Sequence, residues 1–188
     1  MSTVLVTYAS RTGSTREIAE AVADELRQTD HTVALVECSA APDIGGFDAA
    51  VIGSALHGRR WMPDAVDYLR RQARHLIDRP TFLFQSGPCS DGTTHVPVTR
   101  SPKAVRRITR RYGLTDPVTF TGRIDHTHAP GRFTRWSAAP VAPGDYRDWT
   151  AIRAWGYAIG FEIHAYLDHR PQRRHDLSHP VTLLPTRQ

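Results

Sequence analysis

The chain lacks the features that mark membrane-spanning and metal-binding proteins. None of its apolar runs approaches the ~20 residues that cross a bilayer. Its only cysteines, Cys38 and Cys89, have no metal-ligand spacing, and we interpret them as reduced thiols of a cytoplasmic protein. His126 and His128 have no second ligand pair, and His164 is expected to lie isolated on the polar side of the last helix. We therefore predict no metal site.

Acidic residues are outnumbered, and in one stretch they are absent. Against 24 lysines and arginines there are 19 aspartates and glutamates, which gives a formal net charge of +5. Residues 100–111 include several cationic side chains and no acid, and residues 170–175 form a second basic cluster. Such patches attract a membrane surface, nucleic acid or a carboxylate-bearing substrate, although a solvated helix face is the simpler alternative. We consider peripheral contact with a membrane and predict no specific nucleic-acid partner.

Glycine-rich nucleotide motifs are also missing near the N-terminus. Gly13 is the only glycine in its loop, which excludes the dinucleotide fingerprint, and no Gly-Lys-Ser/Thr follows, which excludes the phosphate loop of ATPases. The apolar residues 4–6 predict a buried strand. From Ile18 the apolar residues take helical spacing, which predicts a helix ending near Gln28.

The loop between this strand and this helix is rich in hydroxyl groups. It consists of Ser10, Arg11, Thr12, Gly13, Ser14 and Thr15. A helix N-terminus favours an anion, because its first N–H groups are unpaired and carry partial positive charge. We predict that loop 10–15 binds a phosphate. The alternative is an ordinary helix cap without a ligand.

Strands and helices are predicted to alternate along the rest of the chain. Further strands are expected at 32–36, 49–53, 81–85 and 118–122. Helices are expected at 63–75, in the basic stretch 100–111 and at 149–167. This alternation implies an α/β protein with a parallel sheet and helices on both faces. We assign 1–168 to one domain with an inserted segment at 123–147, and 169–188 to a polar tail.

Two later loops are expected to meet loop 10–15 at the carboxyl edge of the sheet, where ligands of such proteins bind. They provide candidate contacts to a flat ring: Ser54, Ala55, Leu56, His57, Gly58, Trp61, Ser86, Gly87, Pro88, Cys89 and Gly92. Trp61 either stacks on the ring or packs beside Pro63. His57 either relays a proton or is a surface histidine. Cys89 either modulates redox behaviour or is a plain thiol.

The loop sequence resembles the Ser/Thr-x-Thr-Gly-x-Thr pattern of the FMN-phosphate loop in flavodoxins. The matching positions are Ser10, Thr12, Gly13 and Thr15. With 51–58 (Val-Ile-Gly-Ser-Ala-Leu-His-Gly) and the Asp-Trp pair at 148–149, the chain resembles the flavodoxin-like family of menaquinone-dependent protoporphyrinogen oxidases. The resemblance covers about 3–122 and 148–167.

This resemblance implies a three-layer sandwich with a five-stranded parallel sheet in the order 2-1-3-4-5 and a long insertion before the last helix. It implies FMN as the cofactor. FMN would take two electrons from a reduced substrate, a porphyrinogen in that family, and pass them to a quinone. The propionates of such a substrate would suit arginines near or within the insertion: Arg123, Arg132, Arg135 and Arg147.

Two other functions fit the same sequence features. One is an electron carrier that docks with redox partner proteins, and the other is a flavin-free binding module. An intact loop 10–15 argues against the flavin-free module. A carrier would expose the flavin edge within a charged rim, whereas an oxidase would enclose it. The inserted segment 123–147 therefore favours an enzyme.

Overall fold

A computed structural model of the chain describes residues 1–87, 100–124 and 144–169. Five strands form a parallel sheet in the order β2-β1-β3-β5-β6. Their bounds are β1 Ser2–Ala9, β2 His31–Glu37, β3 Ala49–His57, β5 Thr81–Gly87 and β6 Val118–Thr121. Counted without the short strand β4, this is the predicted order 2-1-3-4-5. The predicted α/β architecture is confirmed.

Helices in the described residues cover both faces of the sheet. Their bounds are α1 Ser14–Gln28, α2 Pro63–Leu76, α3 Lys103–Tyr112 and α4 Trp149–Asp168. In β1, Val4 and Val6 pack with α1 and α4, whereas Leu5 packs with α2 and α3, because successive strand residues point to opposite faces. The predicted end of the first helix at Gln28 is confirmed. None of the helices described is long and apolar enough to cross a bilayer.

Two strands run further than the sequence predicts. β3 continues beyond 49–53 to His57, because its last residues pair with the short antiparallel strand β4, Arg60–Trp61. β5 continues beyond 81–85 to Gly87, because that residue still pairs with β6. Part of each of the two loops that were predicted to contact a flat ring is therefore strand. A two-residue strand such as β4 has no periodicity that a sequence pattern can reveal.

The inserted segment begins and ends in a second small ladder. β7, Arg123–Ile124, pairs antiparallel with β8, Gly144–Asp145. Residues 125–143 and 170–188 lie outside the described residues, and so do His126 and His128. The division into a domain at 1–168 and a tail at 169–188 stays a prediction. Among the described residues, no group of three or more His, Cys, Asp and Glu side chains is placed to hold a metal ion.

His164 is not isolated, contrary to the prediction. Its ring stacks on the ring of His31 with the centroids 4.2 Å apart, and its Nε2 lies 2.7 Å from the carbonyl oxygen of Thr29. His31 is buried and contacts the Ser2 hydroxyl and the Gly160 carbonyl. The contact arises because α4 lies against α1 and the start of β2. A one-dimensional pattern does not show which helix covers a given turn.

Close packing of α4 on the end of α1 depends on Gly160. A Cβ atom added there would lie 2.2 Å from Oγ1 of the buried Thr29. We predict that Gly160→Ala lowers the free energy of unfolding by about 1–3 kcal/mol, the usual cost of overpacking. The measurement is urea-induced unfolding followed by circular dichroism. Gly45→Ala is the control, because no atom lies within 4 Å of the added Cβ. Equal stability of the two variants would contradict this packing.

Burial of His31 predicts a loss of stability in acid. Desolvation by burial lowers its pKa, and the neighbouring His164 and the N-terminal ammonium act in the same direction, while the Gly160 carbonyl and Asp30 oppose them. The unfolded chain therefore binds a proton near pH 6.5 that the folded chain resists, so stability present above that pH is lost below it.

We expect the free energy of unfolding to fall as the pH drops from about 7.5 to about 5.5, and His31→Gln to reduce that slope. Urea titrations at several pH values measure it. The control is His75→Gln, because His75 is exposed on α2. The same slope in wild type and His31→Gln would show that His31 does not contribute.

Candidate cofactor site

Loop 10–15 ends in a sharp turn that leaves the start of α1 open. Gly13 precedes the helix with a φ of 87°, a left-handed conformation that side chains disfavour, and its N–H donates to the Ser10 hydroxyl at 3.1 Å. The first helical hydrogen bond runs from Glu17 N to Gly13 O. Within the described part of the chain, the N–H groups of Ser14, Thr15 and Arg16 have no partner. They form the anion-binding end of a helix.

Hydroxyl groups of the loop join it to its neighbours. Thr15 Oγ1 lies 2.7 Å from Ser86 Oγ, and both residues are buried, so the start of α1 contacts the end of β5. The Ser14 hydroxyl accepts a hydrogen bond from Arg123 N at 3.1 Å. The Thr12 hydroxyl makes no hydrogen bond to the described residues, which leaves it available to a ligand.

Arg11 in loop 10–15 contacts His57 at the end of β3. We refer to the space between this loop and the end of β3 as the crevice. Arg11 Nη1 lies 2.9 Å from His57 Nε2, and both side chains are exposed. A guanidinium group only donates hydrogen bonds, so the imidazole ring of His57 is the acceptor in this contact. The predicted role of His57 in proton transfer stays a prediction.

Arg123 lies beside the loop, with its guanidinium group near the Thr12 carbonyl. Its Nη1 is 3.2 Å from Glu17 Oε1, and about a third of the side chain is exposed. Arg123 therefore brings positive charge to the predicted phosphate position, and Glu17 orients it. Its predicted contact with a substrate carboxylate stays a prediction. Arg132 and Arg135 lie outside the described residues.

Arg147 is a structural residue, which corrects its interpretation as a ligand for substrate carboxylates. Its side chain is 2% exposed, Nη1 lies 2.8 Å from Glu17, and Nη2 lies 2.6 Å from Asp145. Its guanidinium carbon sits 4.3 Å from the ring centroid of Trp149. The hydrogen bond from Arg147 lowers the pKa of the Asp145 carboxyl. A guanidinium group that is buried and already paired with two carboxylates is not available to a substrate.

Trp61 packs in the core rather than lining the crevice. It is 4% exposed, and its indole Nε1 donates to Gln85 Oε1 at 3.0 Å. The structure therefore supports the packing alternative over stacking on a ring. Ser54 is also buried, and its hydroxyl accepts from Met62 N at 2.9 Å, which braces the β3–β4 hairpin from inside.

The remaining ring-loop candidates divide between the hairpin and the end of β5. Ala55 and Leu56 are half-buried, Gly58 is exposed at the turn, and Gly87 ends β5. Pro88, Cys89 and Gly92 are outside the described residues. Contacts of these residues with a ring stay predictions.

Sequence patterns did not indicate the ion network beneath loop 10–15, which consists of the pairs that Glu17 forms with Arg123 and Arg147. Glu17 is the shared partner of Arg123 and Arg147, although more than 100 positions separate it from either in the chain. An acid in the first turn of α1 was the one visible signal, because acids are common there. The spacing of charged residues in the sequence did not indicate that Arg147 and Asp145 belong to the same network as Glu17.

A doubly wound parallel sheet with an open helix N-terminus, an available hydroxyl and an arginine at its carboxyl edge is typical of a nucleotide-phosphate-binding α/β protein. Residues 5–127 match a protein-family model described as a flavodoxin domain. The match covers well over half of the chain, so the chain belongs to the flavodoxin-domain family. Its cofactor is accordingly FMN, and its general role is redox chemistry or electron transfer.

Solved structures agree on the fold. The rubredoxin:oxygen oxidoreductase of Desulfovibrio gigas is 19% identical, with 88% of this chain and 37% of that chain covered and a TM-score of 0.59. A flavodoxin from an archaeon is 15% identical, with 86% and 99% covered and a TM-score of 0.58. Flavodoxin 1 of Bacillus cereus is 12% identical, with 90% and 100% covered and a TM-score of 0.53.

Coverage differs between these neighbours. The chain spans 37% of the D. gigas protein but nearly all of each flavodoxin. At these identities the likeness concerns the fold alone. No curated protein sequence matches the chain.

Residues present at loop 10–15 fit the terminal phosphate of FMN, because unpaired N–H groups and a free hydroxyl meet there. We predict that Thr12→Ala combined with Thr15→Ala weakens FMN binding at least about tenfold, because the first change removes the available hydroxyl and the second removes the buried hydrogen bond to Ser86 that holds the start of α1 in place. The measurement is titration of the apoprotein with FMN, followed by flavin fluorescence. Thr32→Ala is the control, because Thr32 is exposed on β2, away from the loop. Equal affinity of the double variant and the control would contradict the assignment of this loop.

Proposed function

We propose that the chain is an FMN-dependent oxidoreductase of the protoporphyrinogen oxidase type. It would oxidise a reduced, anionic substrate such as a porphyrinogen and pass the electrons to a quinone or another acceptor. The observation that carries this proposal is the anchoring of the inserted segment beside the cofactor loop.

Both described ends of that segment are held at loop 10–15. β7 and β8 pair with Arg123 opposite Asp145, and Arg123 N donates to the Ser14 hydroxyl. Arg147, just after β8, bridges Asp145 to Glu17 and reaches the Ser14 carbonyl at 3.3 Å. The chain thus leaves and returns at the same point next to the cofactor. A segment tethered there is positioned to supply one wall of a substrate pocket, which a simple carrier does not need.

FMN, when bound, supplies the redox chemistry by taking up and releasing electrons together with protons. The residues of the chain would bind FMN and orient it. The N–H groups of Ser14, Thr15 and Arg16 would hold the phosphate, and Arg123 would place positive charge next to it. At the mouth of the crevice, the imidazole of His57 would accept a proton released by the substrate in place of its hydrogen bond from Arg11.

An electron carrier is the second candidate, and the exposure of Arg11 and His57 favours it. Arg11 places positive charge at an open mouth, where an acidic partner protein would dock. The cationic residues of α3 would suit peripheral contact with a membrane that contains the quinone. A flavin-free module is disfavoured by the open start of α1.

Replacing residues 126–143 by a short Gly-Ser linker tests the enzyme proposal. We expect the variant to bind FMN within about twofold of wild type, because loop 10–15 and the Arg147 network are intact, and to lose substrate oxidation. The measurements are the visible spectrum, FMN released on denaturation, and anaerobic oxidation of protoporphyrinogen with a quinone as acceptor.

Full turnover by the linker variant would exclude the pocket-wall role. A wild-type protein that binds FMN and exchanges electrons with redox proteins, but oxidises no porphyrinogen, would favour the carrier. Purified protein without flavin and without FMN affinity would overturn both.

A further inference from the structure

A basic pocket lies between the β3–β4 hairpin and the start of α3. Its volume is about 1090 Å³. Five cationic side chains line it: Arg59, Arg60, Arg100, Lys103 and Arg106. No acidic residue is among its described lining residues, and it shares none of them with loop 10–15. We refer to it as the basic pocket.

None of these five cations forms an ion pair within the described part of the chain. Other surface arginines do pair, for example Arg70 with Asp67 on the neighbouring helix. Cations that converge on one concavity repel one another unless an anion joins them. The pocket therefore carries positive charge that would attract an anion. The described residues supply no acidic group to meet that charge.

The first turn of α3 adds hydrogen-bond donors to the same pocket. Pro102 precedes the helix without a side-chain cap, and the first helical hydrogen bond runs from Arg106 N to Pro102 O at 2.9 Å. The earlier N–H groups of the turn have no partner among the described residues. Lys103 occupies this end although the helix dipole disfavours a cation there. An anion in the pocket would remove that repulsion.

Arg59 is held in a strained conformation at the opposite rim. Gly58 and Arg59 form the two-residue turn between β3 and β4 with φ values of 56° and 62°. Left-handed φ at both positions is typical of a type I′ turn, but an arginine there is unusual and costs conformational energy. The strain directs a cation to the tip of the hairpin, where it lines the pocket.

Apolar groups complete the lining, which points to an organic ligand rather than a bare inorganic ion. Trp61, Val66 and Pro102 contribute to the wall between the cations. The volume is slightly above the roughly 300–1,000 Å³ that is usual for small-molecule sites. A ligand with a flat apolar body would cover these groups while its charged end meets the rim.

We propose that the basic pocket binds a small organic anion that combines an apolar ring with a phosphate or carboxylate group. Gly58 belongs both to this pocket and to the loop predicted to contact the flavin, so the ligand would lie beside the cofactor. Any role of this ligand in the redox reaction rests on the proposed function. The binding itself does not.

Calorimetric titration of the FMN-loaded protein tests the site. The probes are 2-naphthyl phosphate, 2-naphthoate and inorganic phosphate. We expect at least one naphthyl probe to bind with one-to-one stoichiometry and a Kd below about 1 mM, at least tenfold tighter than inorganic phosphate. Tighter binding of the phosphate probe identifies a phosphorylated ligand, and tighter binding of naphthoate identifies a carboxylate. Equal affinity for inorganic phosphate, or no binding of either naphthyl probe, would overturn the proposal.

Two double variants on the same helix separate a site from general attraction. Lys103→Gln with Arg106→Gln removes two pocket cations, and we expect it to weaken binding at least tenfold. Arg107→Gln with Arg110→Gln removes the same charge outside the pocket and should change the Kd less than about twofold. An equal loss of affinity in both variants would overturn the proposed binding site. It would indicate instead that the basic surface as a whole attracts an acidic protein. FMN content is measured in parallel, so failure to bind flavin counts against the proposed function and not against this site.

Discussion

The open N-terminus of α1 is the feature on which the rest of this site depends. Gly13 turns the chain so that the N–H groups of Ser14, Thr15 and Arg16 have no partner among the described residues at the carboxyl edge of the sheet. Buried donors without partners are costly, so such an end is stable only beside solvent or an anion. The free Thr12 hydroxyl and the guanidinium group of Arg123 gather around it. We expect this arrangement to bind the phosphate of FMN.

The ion network under the loop then determines what else can stand near the cofactor. Glu17, in the first turn of α1, pairs with both Arg123 and Arg147, and Arg147 also pairs with Asp145. A buried guanidinium group needs such paired carboxylates to offset its desolvation. The consequence is that both ends of the inserted segment are attached to the first turn of α1. One carboxylate thereby connects both described ends of the inserted segment to the helix that follows loop 10–15.

Most of the fold could be predicted because it rests on local periodicity. The apolar run at 4–6 and the helical spacing from Ile18 identify the first strand and helix, and their junction identifies the phosphate loop. The failures have a common cause. β4 and the β7–β8 ladder are too short to show a period. The stacking of His164 on His31 and the burial of Trp61 depend on which elements pack together across the fold.

By itself, the sequence determined the order of strands and helices and the hydroxyl-rich loop, because hydrophobic spacing and turn chemistry act between near neighbours in the chain. Tertiary structure alone decided which arginines remain accessible at the surface. Arg147 and Arg123 are close in the chain and chemically identical, yet one is buried against two carboxylates and the other is partly exposed beside the loop. Lys103 and Arg106 likewise line the same pocket as Arg59 only because α3 packs beside the β3–β4 hairpin. Charge acts through space, and distances between remote residues are set only when the elements pack.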